Sequence, residues 1–589
     1  MAATEEILGQ FLGDESFPVT WDSEVEKDFF WVYDDLHIPH PVSPMFFDIG
    51  GWWLSCDHMF RRFGTPFAVD WLAKNVNGYV YTTAIPADPE LRIEGTEYSS
   101  TYGARVPRDA SFGAQMGKYL DTVLPVYGEH FADWWRDRLV PEMQRNFEYL
   151  ETRLDEAEGM SLPELATLLE DAIDIHDRHW KIHWMLNFAQ LSATLKLRAV
   201  MEEVRGGVDE ELLGRLQNSA SDRNWDSIEA LWRMKNEVRD DPELRAAFAA
   251  GDAKAIAAAL RGFDRGRQFI DEQVTPYQRE FGWHAVWSHE FIFPTVREEM
   301  EPILELVRGY LDSDYDYPTA IDAMRRDIEA ASNEILEGLE GEALEEMRAA
   351  NATNLRMAPL TPDHHFYIDQ GANAHVRLVL IAIGRRLVED GRLDRPDDVL
   401  FLRYNELRML IGDPEALDAR GIVAQRRVER DAAKQVTPRN WVGTVTPSQL
   451  AFPYLVNWGY PERFHQEVST DTTTVKGIAG SPGVAEGIAR VVMTVDEFDA
   501  VRDGDILVCQ MTNPAWVVLF TKIAALVTDT GGTTSHPAVL SREFGIPAVI
   551  GTSTATHTIR TGDRIRVDGS NGVVEILQAA EPSASPIGS

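Results

Sequence analysis

Thr528 to Gly551 reads TDTGGTTSHPAVLSREFGIPAVIG, which sets His536 behind two glycines, Gly531 and Gly532, and three hydroxyls, Thr533, Thr534 and Ser535. Pro537 suits a first helical turn, where its missing N–H is no loss, and Gly545 suits a C-terminal cap. His536 is therefore expected at a helix N-terminus. That end carries partial positive charge and unpaired N–H groups, a setting suited to a phosphoryl group. The same field disfavours imidazolium and keeps the ring neutral and nucleophilic. The glycine amides and the hydroxyls of residues 531–535 can donate to phosphoryl oxygens. The chemistry this pattern offers is a phosphorylatable histidine.

The elements around it change along the chain. Phe29, Phe30, Trp31, Tyr33, Phe46, Phe47, Trp52 and Trp53 are interleaved with Pro39, Pro41 and Pro44, a spacing that interrupts any long helix. These aromatics read as core packing rather than a ligand cage. From about residue 136 to 465 apolar residues recur at three and four positions, which predicts a largely helical body. QEVSTDTTT, 466–474, has no apolar period and reads as a linker. RVVM, DILVC, ALVTD, PAVIG and RIRVDG then follow as short strands punctuated by glycines, a compact α/β unit. The expected fold is multi-domain α+β: a mainly helical body at 1–465, a hinge at 466–474, a small α/β domain at 475–578 and a flexible tail at 579–589.

The C-terminal unit resembles the phosphohistidine swivelling domain of phosphoenolpyruvate synthase, pyruvate phosphate dikinase and rifampin phosphotransferase. The resemblance rests on GIAGSPGVAEG at 477–487, GDILVCQMTNPAW at 504–516, the His536 stretch and GDRIRVDGSNGVVEI at 562–576. Pro537 and Ser541 stand where this family often has alanine, and neither change removes the nucleophile. The resemblance implies a hinged shuttle in which His536 is pyrophosphorylated by ATP, loses phosphate to water and passes the remaining phosphoryl group to an acceptor. WVYDDLHIPHPVSP, 31–44, and DHHFYIDQGANAHVRLVLIAIGRRLVEDGRLDRPDDVLFLRYNEL, 363–407, resemble the beginning and the end of the acceptor-binding region of rifampin phosphotransferases and phenylphosphate synthases. Rifampin phosphotransferases carry an Arg-Glu-x-Pro-Lys type of block where this chain reads His364-His365-Phe366-Tyr367-Ile368-Asp369, which points towards the phenol-phosphorylating enzymes.

Transfer to a phenol needs an aromatic slot, a base for the hydroxyl proton and donors around the moving phosphoryl group. His364 and His365 are the candidate bases, with Asp363 or Asp369 orienting the ring. Arg377 is the candidate clamp on phosphoryl oxygens, and His37 belongs to the acceptor motif. His176, His179 and His183 fall on one face of a predicted helix, but chain spacing puts no recognised carboxylate beside them, so no metal is expected, and pocket lining stands beside ordinary core packing as a reading. His284, His289 and Glu290 in GWHAVWSHEF read as a pocket wall or core.

Composition bounds the rest. The chain has 589 residues with 56 Lys+Arg against 95 Asp+Glu, a formal net charge of -39. Such acidity opposes binding to nucleic acid or anionic membranes, and it resides in the helical body, because basic and acidic residues nearly balance after 475. Two cysteines, Cys56 and Cys509, form no disulfide framework, and the acidic N-terminus lacks a signal-peptide layout, so a cytoplasmic location is expected. Neither an ATP-grasp region nor a phosphoenolpyruvate-binding barrel is recognised. ATP and Mg2+ are therefore expected on a separate ATP-grasp subunit. The alternatives are an enzyme phosphorylating an antibiotic or another alcohol, and a non-catalytic phosphohistidine carrier.

Overall fold

A computed structural model describes residues 9–35, 37–56, 68–86, 128, 130–285, 287–311, 315–446, 473–493, 495–512, 516–520, 522–529, 536–552 and 554–580. The fold is mixed, with a large helical body and a C-terminal β-rich domain. Contacts divide the chain into two interleaved units. One holds Met1–Val200, Trp283–Thr295 and Ala352–Phe464, the other Met201–Gly282, Val296–Asn351 and His465–Ser589. This division differs from a linear boundary at 465, because part of the helical body packs with the C-terminal sheet. Phe544, for example, lies 6.2 Å from Trp225 and 6.0 Å from Tyr315 between ring centroids. Residues 466–472 of the expected hinge and 581–589 of the expected tail lie outside the described residues, and Thr474 already pairs in a strand.

In the first unit β1 (Gly9–Phe11), β2 (Phe30–Tyr33), β3 (Ala68–Val76), β4 (Tyr79–Pro86) and β5 (Trp441–Val445) form an antiparallel sheet in the order β1-β5-β2-β4-β3. Asn77 and Gly78, both at positive φ, make the tight β3–β4 turn, as an Asn-Gly pair favours. Phe17, Phe29, Trp31, Tyr33, Tyr79, Tyr81 and Val442 form one buried cluster around the sheet. The aromatic-rich N-terminal segment is thus largely core.

The helices that matter most are α1 (Leu162–Arg205), α2 (Leu360–His364) and α3 (Gly371–Glu389). Between α2 and α3 the chain makes a π-helical turn, His365–Gln370, a wide turn that often occurs at functional sites. Gly371 follows at once. A Cβ there would stand 2.7 Å from Phe147 Cζ and 3.0 Å from Trp283 Cε3. Both rings are buried, and Phe147 is also stacked on His375 at 4.4 Å. Gly371→Ala should therefore overpack this corner and lower unfolding stability by about 1–3 kcal/mol in urea denaturation. An unchanged midpoint would show that the rings yield freely.

The C-terminal strands β6 (Thr474–Lys476), β7 (Ile478–Ser481), β8 (Val484–Val491), β9 (Ile506–Cys509), β10 (Ala525–Thr528), β11 (Ala548–Ile550), β12 (Arg564–Asp568) and β13 (Val573–Gln578) form one sheet, ordered β6-β13-β12-β8-β9-β10-β11-β7. Strands β8, β9, β10 and β11 run parallel to one another, with β12 and β7 antiparallel on either side, and their buried apolar residues fill the core with those of β12 and β13. Helix α4, His536–Glu543, lies between β10 and β11 in the chain. It ends at Gly545, φ +64, with Ile546 N–H donating to the Ser541 carbonyl at 2.9 Å, the glycine cap expected from sequence. Among the described residues no helix is long and apolar enough to cross a membrane.

Candidate active site

Asp369 is the hub of the acceptor-side cluster. It sits in the π turn with its side chain 4% exposed. His365, one position beyond α2, hydrogen-bonds through Nδ1 to Asp369 Oδ2 in a close contact, and its side chain remains 32% exposed. His364 Nε2 lies 3.8 Å from the same oxygen. From α1, His183 Nδ1 stands 3.7 Å from Asp369 Oδ1, and from the 283–295 segment His289 Nε2 stands 4.0 Å away. The expected pair His364 and His365 and the expected partner Asp369 are therefore brought together, and His365 is the ring that Asp369 holds directly.

Electrostatics follow from the crowding. Burial alone would raise the Asp369 pKa, but His365, His364 and His289 outweigh it and hold the carboxyl well below its ordinary range. Burial pushes His183 down to about 3 and His289 to about 4, so both rings are neutral at pH 7. His364 is likewise driven down by burial and then by His365.

His37 belongs to the same neighbourhood. Its Nδ1 contacts Asp34 Oδ1 at 2.7 Å, and Asp34 Oδ2 accepts from Trp52 Nε1 at 2.7 Å. Burial works against the His37 charge, yet Asp34 outweighs it and the pKa is raised. The His37 ring lies 5.5 Å from that of His289, so His289 stands between two aspartate–histidine pairs. Trp180 and Trp184 lie 4.8 Å and 5.1 Å from His183, and Trp184 is 5.8 Å from Trp52. The arrangement offers a partly exposed imidazole oriented by a buried carboxylate.

Other candidates fall elsewhere. Arg377 is buried and donates through Nη1 to the Phe291 carbonyl. His176 Nε2 lies 2.9 Å from Asn373 Oδ1 and 3.0 Å from Trp180 Nε1, and His179 Nε2 is 3.1 Å from Asn146 Nδ2. His284 is buried and meets Phe366 edge-on. Glu290 accepts from the Ser43 amide at 2.6 Å and the Ser43 hydroxyl at 2.5 Å, so it anchors the start of helix Pro44–Ile49. Asp34 carried no assigned role in the sequence reading, although the Asp-Asp-Leu-His spacing could have paired it with His37.

On the C-terminal side His536 is the first residue of α4, as its motif predicts. Gly531, Gly532, Thr533, Thr534 and Ser535 lie outside the described residues. Asp529, just after β10, is held by contacts from beyond β11. Its Oδ1 accepts from Thr556 N–H at 3.0 Å and from Thr552 Oγ1 at 3.2 Å, and its Oδ2 accepts from Thr556 Oγ1 in a close contact. The sequence reading gave Asp529 no role, because its partners come from beyond β11.

Parallel strands leading to a histidine at a helix start define a domain class, and residues 501–572 match the family described as the PEP-utilising enzyme mobile domain. Residues 183–358 match the rifampicin phosphotransferase fourth domain. An uncharacterised phosphotransferase, YvkC, of Bacillus subtilis is 28% identical over 95% of this chain and 63% of its own length. A rifampicin phosphotransferase of Streptomyces sviceus is 37% identical over 34% of this chain and 21% of its own. A probable phosphoenolpyruvate synthase of Pyrococcus abyssi is 47% identical over 18% of this chain and 13% of its own. The chain thus spans less than two thirds of each of these relatives. These relatives are phosphotransferases of the phosphoenolpyruvate synthase and rifampicin phosphotransferase family, and the two domain matches place residues 183–358 and 501–572 of this chain among their domains.

Proposed function

We propose that this chain carries a phosphoryl group on His536 and transfers it to the hydroxyl of a phenolic acceptor held at the His365–Asp369 pair. The observation that carries the acceptor half is that pair: Asp369 occupies Nδ1 of a partly exposed ring, leaving Nε2 to take a proton. A phenol ionises near pH 10, so a positioned imidazole base is worth about 10²–10⁴ in rate.

The donor half rests on the mobile-domain match and on the place of His536 at the start of α4. In this reading a separate ATP-grasp subunit holds ATP and Mg2+. A His536 nitrogen attacks the β-phosphorus and AMP leaves. Water then takes the γ-phosphate. The acceptor oxygen attacks the remaining phosphorus, the N–P bond breaks, and the hydroxyl proton passes to His365. The products are AMP, phosphate and an aryl phosphate.

A second acceptor class, an antibiotic or other alcohol, is favoured by the rifampicin phosphotransferase fourth-domain match at 183–358, which includes His183 and His289. Incubation with an ATP-grasp partner, ATP and Mg2+, with phenols and rifampicin as parallel acceptors, separates the readings by 31P NMR. Aryl phosphate with matching AMP is expected. Phosphorylated rifampicin alone would replace the phenol with the second class, and AMP without any phosphorylated acceptor would leave a phosphohistidine carrier.

A further inference from the structure

We propose that His183, His364 and Asp369, with His289 as a fourth ligand, bind a divalent transition-metal ion, Zn2+ being the expected occupant. One ligand atom from each of His183, His364 and Asp369 lies within 4.8 Å of the others, and all three residues are buried. His183 Nδ1, His289 Nε2 and Asp369 Oδ1 are each buried without a hydrogen-bond partner. They face one another at 3.7 Å and 4.0 Å, and His364 Nε2 is 3.8 Å from the other carboxylate oxygen. These gaps are too long for hydrogen bonds. They approach the roughly 3.3 Å that neighbouring ligands of a tetrahedral ion keep when each bond is about 2.0–2.1 Å.

The donors also select the ion. Three imidazoles and one carboxylate suit Zn2+, Co2+ or Ni2+, whereas Mg2+ and Ca2+ favour all-oxygen shells. Outer partners are in place: His365 holds Asp369 Oδ2, and Asn187 lies 2.9 Å from His183 Nε2. With the Asn187 amide turned so that its oxygen accepts from Nε2–H, His183 Nδ1 presents a lone pair to the ion. Spacing along the chain puts no carboxylate beside His183, and folding brings Asp369 there.

The site rests on this geometry alone. Only its use depends on the acceptor reading: beside His365, the ion would act as a Lewis acid on a hydroxyl taken on as a fifth ligand. The test omits phosphoryl transfer altogether. The full chain, stripped by a chelator and dialysed, is titrated with Co2+ alone. One Co2+ per chain is expected, with the strong visible d–d bands of a low-coordinate site, displaced by one equivalent of Zn2+. His183→Gln and His289→Gln should each weaken binding by more than the roughly 10–100-fold that losing an outer partner costs. Circular dichroism checks the fold of each variant. A folded wild-type chain that takes up neither Co2+ nor Zn2+ overturns the proposal. So does a folded variant with an unchanged spectrum and affinity, and the two single variants give independent chances to see it.

Discussion

His536→Ala should abolish net phosphoryl transfer, lowering turnover by at least about 10⁴-fold, and should leave no acid-labile phosphate on the chain. The size of the effect follows from covalent chemistry. When the nucleophile is removed the two-step route closes, and what survives is only the catalysis that binding and electrostatics provide. The scaffold should persist, because the local fold rests on other groups. Strand β10 is buried, Asp529 is tied to Thr552 and Thr556, and Gly545 caps the far end of α4. A native circular dichroism spectrum with no phosphoenzyme on radiolabelling is the expected pair of results. Full turnover in this variant would sink the mechanism.

His365→Gln should separate the half-reactions. Charging of His536 by ATP needs nothing from the acceptor cluster, so the phosphoenzyme should form at the wild-type level. Its discharge to the acceptor should slow by about 10²–10⁴-fold, the range a positioned base contributes. Glutamine keeps polar volume at a partly exposed position, so the buried Asp369 hub retains a hydrogen-bonding neighbour. Single-turnover chase of radiolabelled phosphoenzyme into product measures the effect directly. Equal discharge rates in variant and wild type would remove His365 from the role of base, and loss of charging as well would point to a defect in the fold.

These two residues were legible for different reasons. His536 is local: a turn, a helix start and a cap lie within one short stretch, and each has a residue preference that shows in one dimension. The strands β9 to β12 were legible through the same punctuation by glycine, whereas β8 overlaps its expected run RVVM only at Arg490 and Val491. His365 and Asp369 were legible as neighbours four positions apart, although the wide π turn that carries them leaves no periodic trace. The remainder of the cluster was not. His183, His289 and Asp34 come from three separate segments, and only folding decides which of many histidines faces the carboxylate. Arg377 illustrates the converse. Two turns beyond Asp369, its charge suggests a phosphoryl clamp, and no spacing announces the hydrogen bond its guanidinium makes to the Phe291 carbonyl. The interleaving of the two units escaped the linear reading because aromatic contacts such as Phe544 with Trp225 leave no signature at the boundary.

The sheet order β1-β5-β2-β4-β3 bears on biosynthesis. β5 fills the slot between β1 and β2, with Gly9 opposite Val445 and Phe30 opposite Gly443. The hairpin β3–β4 and its neighbour β2 can pair early, but two strand edges from the start of the chain must wait for residues 441–445. At about 5–20 residues per second that delay is roughly 20–90 s of translation. During that interval an aromatic-rich strand edge stands open, the kind of surface that recruits other chains. The ribosome-bound chain therefore passes through a long stage in which its N-terminal sheet is incomplete, and a holding chaperone would find its target there.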